Sequence, residues 1–131
     1  MKLITLIFIM IIPLMGISQD DQFFITNEVT KPRNPRVWEC DGYLNIQDSI
    51  ATFIVRYRGE TRGIQGKVSN YVTEETQDFY IQKFYVVGTG LTIGQVISFE
   101  IKESTSTDEV IIIVYKKLSQ YNLIFKSELI K

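Results

Sequence analysis

Apolar and polar residues alternate along most of this chain, and the connections between alternating runs are short. Together these features confine the fold to an antiparallel, all-β meander. Ile97, Phe99 and Ile101 interleave with Ser98, Glu100 and Lys102, the period of two expected of a strand with one dry and one wet face. The same reading predicts strands over 37–40, 43–47, 50–58, 62–68, 70–73, 79–87, 95–103, 110–117 and 121–129, each rich in β-branched or aromatic residues. Turn chemistry separates them at Asp41-Gly42, Asp48-Ser49, Gly59-Glu60, 74–77, 88–90, 104–108 and Ser119-Gln120. Parallel neighbours would need crossovers of roughly a dozen residues, and no such stretch is present. The expectation is a single meander of about eight or nine strands. A small up-and-down barrel is preferred over a two-sheet sandwich, because sequential hairpins close simply and closure removes exposed edges.

The chain before this pattern divides in two. Lys2 followed by an apolar run over 3–15, then Gly16-Ile17-Ser18 with small residues at the −3 and −1 positions, reads as a signal peptide over 1–18 cleaved before Gln19. The run is shorter than the roughly 20 residues that span a bilayer and contains Pro13. The expected location is therefore periplasmic or extracellular, with no stable membrane insertion after cleavage. Residues 19–35, with Pro32 and Pro35 and no sustained period, read as an irregular lead-in or short edge segment, and 36–131 as the β domain. An outer-membrane barrel would need strands of about 9 to 11 residues with a continuous lipid-facing band, whereas Thr52, Arg56 and Arg58 alternate here with Phe53, Val55 and Tyr57.

Charge narrows the partners. Of 14 basic and 15 acidic residues, cleavage would remove only Lys2, leaving 13 against 15 and a net charge of −2. That balance provides no field for nucleic acid. The chain has no histidine, which removes Ser-His-Asp and Cys-His catalysis and the usual zinc sets. Glu74-Glu75 and Asp108-Glu109 fall in turns and read as solvated charge, as does Glu100 with Glu103; Glu39, Asp41 and Asp48 match no calcium loop. The expectation is a protein that is not an enzyme and carries neither cofactor nor metal.

Three features remain as candidate contacts. Arg56, Arg58 and Arg62 flank a turn, with the first two on one strand face and the third within reach from the partner strand, as an anion patch would require. The run Val110 to Tyr115 is apolar on both faces, so one set, either Val110, Ile112 and Val114 or Ile111, Ile113 and Tyr115, points outward. Tyr80 and Phe84 make the strand over 79–87 similarly two-sided. The cover for such a second face is either the lead-in, a neighbouring sheet, a protein partner or a second copy of the chain. Finally, Cys40 is the single cysteine, read as a buried thiol or as one able to pair between chains, and it shares a strand face with Trp38.

Trp38, near the start of the first predicted strand, resembles in its placing the tryptophan of lipocalins and their calycin relatives, which closes one end of an antiparallel barrel. The resemblance covers Trp38 and the meander, and Arg36 stands where those proteins carry glycine. It implies a small apolar ligand held inside the barrel. The residues themselves point first to an exported, non-catalytic binding or interaction module, with the ligand carrier as the alternative. An internal apolar cavity of roughly 300 Å³ or more separates the carrier from a filled interior.

Overall fold

The computed structural model describes residues 20–31, 34–116 and 122–130; the predicted signal peptide lies outside them. Eight antiparallel strands form one closed barrel in sequence order. They are β1 (Gln22–Lys31), β2 (Asn34–Gln47), β3 (Ile50–Tyr57), β4 (Glu60–Glu75), β5 (Phe79–Gly88), β6 (Val96–Ser104), β7 (Val110–Lys116) and β8 (Asn122–Leu129). The all-β meander expected from alternation is therefore the fold, and it closes as a barrel rather than stacking as a sandwich.

Closure depends on a segment that the sequence pattern assigns to an irregular lead-in. Residues 22–31 are a strand paired to β2 on one side and β8 on the other. A register shift between Thr26 and Glu28 explains why its pattern is hard to see. Phe24, Thr26 and Val29 are all fully buried, so the bulge changes which parity faces the core.

Two predicted separations are also absent. β2 runs without a break through Asp41-Gly42, where glycine serves close approach: a Cβ on Gly42 would lie 2.6 Å from both the Ile54 carbonyl oxygen and Thr26 Oγ1. The predicted strands over 62–68 and 70–73 are one strand, interrupted by a bulge at Asn70, whose φ is 55°. The sharp turns at Asp48-Ser49 and Arg58-Gly59 have positive φ at both central residues, the conformation of a two-residue hairpin loop.

The middle of the barrel is filled. Phe99 meets Phe53 edge-on at 5.3 Å between ring centroids and stacks on Phe84 at 5.5 Å, while Phe53 meets Phe125 at 5.3 Å. Leu44, Ile46, Ile101 and Ile112 complete this layer without exposure. One end is sealed by a polar network: Tyr71 donates to Gln82 Oε1 at 3.0 Å, and Gln82 Nε2 donates to Gln22 Oε1 at 3.1 Å. This satisfies a glutamine that is fully buried. Burial, with Tyr80 as a lesser contributor, pushes the Tyr71 hydroxyl well above the ordinary tyrosine pKa.

At the other end Trp38 packs half-buried against the core, with Lys31 Nζ, Arg36 Cζ and Arg58 Cζ at 5.4, 5.5 and 5.8 Å from its ring centroid. Cys40, two residues on, is buried and its thiol donates to Thr26 Oγ1 at 3.9 Å. Burial raises its pKa, against the lowering effect of the Thr26 bond. A thiol reagent should therefore label Cys40 far more slowly in folded protein than in denaturant; equal rates, or a disulfide-linked dimer on a non-reducing gel, would contradict this placement.

Candidate functional site

The predicted anion patch does not assemble. The register pairs Arg56 with Thr61 and Val55 with Arg62, so Arg62 lies on the inward face with Val55 while Arg56 points outward. Arg58 occupies the turn, and its guanidinium lies over Trp38. The expected strands end at Arg58 and resume at Arg62, a three-residue gap that would set these two arginines opposite each other. The two-residue loop Arg58-Gly59 instead pairs Tyr57 with Glu60, so even-numbered residues oppose odd-numbered ones and Arg62 opposes Val55.

The predicted second-face contacts also separate. Phe84 is 1% exposed and belongs to the aromatic core, so it presents no contact surface. Tyr80 is exposed at the Gln82 end, next to Tyr71. Ile111, Ile113 and Tyr115 do point outward, as one of the two predicted sets, but all are half-buried. Their neighbours in the register explain the cover. Ile111 sits between Lys102 and Lys126, and Ile113 between Glu100 and Ile124. Tyr115 donates to Glu100 Oε2 at 2.6 Å, and burial together with this bond pushes its pKa up to about 12. Long side chains lay their stems over apolar neighbours in this way. The lead-in provides no cover, because it is itself β1.

The structure instead brings together a site distributed across five strands. At the Trp38 end lies a cup of about 360 Å³, lined by Phe53, Val55 and Tyr57 of β3, Thr61, Arg62 and Gly63 of β4, Gln95 and Ile97, Val114, and Leu123. β5 ends at Gly88, opposite Gly66, whereas β4 reaches back to Glu60. The barrel wall beside Arg62 thus lacks a paired neighbour on the β5 side, which is where the cup forms. Its floor is the Phe53 end of the aromatic core. Its walls combine the aliphatic Val55, Ile97, Val114 and Leu123 with Tyr57 and Thr61, and Arg62 and Gln95 in its lining are both exposed. Arg62 Nη2 bonds Glu60 Oε2 at 2.9 Å, across an exposed pair of side chains.

A larger recess of about 570 Å³ at the opposite end is lined by Glu103, Asp108, Glu109 and Glu128 among others. It offers carboxylates rather than a coherent apolar surface. The cup is the better small-molecule site, since such sites are mainly apolar with a few placed polar groups.

No sequence pattern singles out Val55, Ile97, Val114 and Leu123 from other core positions. Arg62 does leave a trace: it shares the alternating parity of Ile64, Gly66 and Val68, and a charge on the dry parity marks where a strand leaves the core. Comparison with known proteins gives no match to this chain, from either protein-family models or individual curated proteins.

Proposed function

We propose that this chain is an exported, non-catalytic binding barrel that holds a small apolar ligand in the cup at its Trp38 end. The observation that carries this reading is the cup itself: about 360 Å³, with Val55, Ile97, Val114 and Leu123 in its walls, above a barrel otherwise filled by phenylalanine. This volume is near the lower end of small-molecule sites, roughly 300–1,000 Å³, which favours a short ligand. Apolar side chains turned inward and Arg56, Lys83, Lys102 and Lys126 turned outward support function in water, the reverse of a lipid-facing barrel. Export rests on the sequence over 1–18.

The test uses a neutral ligand. 1-Octanol should raise the melting temperature of the native protein, because a ligand that binds only the folded state stabilises it. Leu123→Trp, which fills the cup, should lose that rise while remaining folded. No rise in the parent, or the same rise in the variant, would remove the assignment.

A second reading, contact with a protein partner, is favoured by one observation. Leu91 is fully exposed and Ile93 is 79% exposed, on a loop fixed by Thr92, whose hydroxyl donates to the Gln65 carbonyl oxygen at 2.8 Å and whose backbone N–H donates to the Thr89 carbonyl oxygen at 3.0 Å. Leu91 also borders an outer groove with Ile54 and Gly63. The groove and the cup meet at Thr61, Arg62 and Gly63, which line both, while Ile54 and Leu91 belong to the groove alone and Val114 and Leu123 to the cup alone.

A further inference from the structure

We infer that the ligand of the cup is an anionic amphiphile, with a short alkyl chain among Val55, Ile97, Val114 and Leu123 and a carboxylate or phosphate head at Arg62. This deepens the reading of the cup as a ligand site and rests on it. Arg62 is the cup's charged lining residue, and it lies on the rim, where the end of a chain seated among those aliphatic walls would emerge. A guanidinium there offers paired donors to a planar anionic head.

The charge around it has the same sense. The register places Arg62 on the inward parity of this end, and Lys31, Arg36 and Arg58 lie over the Trp38 ring there, with Glu60 as the carboxylate bonded to Arg62. Glu28, Glu39 and Asp41 occupy the outward parity of the same end, across the wall from the cup. The opposite end carries carboxylates instead, including Asp48, Asp78, Asp108 and Glu109 at its turns. An anion is therefore drawn to the Trp38 end over its opposite.

Glu60 is the competitor. Its bond to Arg62 joins two exposed side chains, an arrangement that contributes little to stability, so a ligand head can take its place. Glu60 and Arg62 thus make opposite predictions for the same ligand.

Calorimetric titration of the full chain with octanoate, octyl phosphate and 1-octanol at low salt tests the inference. At least one of the two anions should bind about tenfold more tightly than octanol, the scale of one charge-assisted hydrogen bond. Arg62→Gln should abolish that preference, bringing the anions to no better than the affinity of octanol for the same variant, whereas Glu60→Gln should strengthen the anion. A preference shared by octanoate and octyl phosphate identifies charge as the recognised property, and a preference for one identifies the head. If octanol binds as tightly as both anions, or if the preference survives Arg62→Gln, the inference is overturned while the cup remains a ligand site. If none of the three binds, the cup reading itself falls, and this inference with it.

Discussion

Replacing Phe99 by alanine should cost about 3–5 kcal/mol of folding stability, measured by chemical denaturation, against less than about 1 kcal/mol for Phe23→Ala. Phe99 is fully buried, stacked on Phe84 and edge-on to Phe53, whose ring also meets Phe125. Its removal leaves a ring-sized void at the junction of four aromatic side chains from β3, β5, β6 and β8, which a closed barrel cannot collapse to fill. Phe23 lies on the outer face against Tyr43 and is 37% exposed, so its loss forfeits only part of one contact surface. A loss below about 1 kcal/mol for Phe99→Ala would mean that the barrel interior is not packed as described.

Deleting residues 20–31 should have a still larger effect: cooperative unfolding should disappear and the chain should bind hydrophobic dyes. An irregular lead-in would be dispensable, but β1 is a full barrel strand. Its loss removes the ladders to both β2 and β8, together with the buried Phe24, Thr26 and Val29. Two strand edges and the aromatic core would be opened to solvent, and a barrel with exposed edges is prone to association. Cooperative melting within a few degrees of the parent would show that β1 does not close the barrel.

The contrast between β1 and β6 shows what sequence can reveal. β6, read as 95–103, is found over Val96–Ser104, because uninterrupted alternation displays the two faces directly. In β1 the same physics operates, but the bulge after Thr26 changes parity halfway, and Pro32 and Pro35 follow the strand. In β7 alternation is hidden because both faces are apolar. Val110, Ile112 and Val114 take the interior, while Lys102, Glu100 and Lys126 across the ladder flank the outward set. That cover follows from cross-strand neighbours, which a single strand's sequence does not contain.

The site was less accessible for a related reason. Arg62 belongs to a basic cluster in the sequence, but its face depends on whether the loop before it has two residues or three, and the two-residue loop Arg58-Gly59 sets it opposite Val55. The remaining walls come from strands as distant in sequence as β3 and β8, and only barrel closure brings Val55 and Leu123 into one cup. Gly42 misled in the opposite direction. Beside Asp41 it reads as a turn, whereas its role is to let β2 pass close to the Ile54 carbonyl and Thr26.

The ligand site is tested most directly by methyl-resolved NMR of the native protein during titration with 1-octanol. Binding in the cup predicts saturating shifts at Val55, Ile97, Val114 and Leu123, with Val29 and Ile46, buried but outside the cup lining, unaffected. Shifts confined to Ile54, Leu91 and Ile93 on the outer surface, or no saturating shift at any of these residues, would contradict the account.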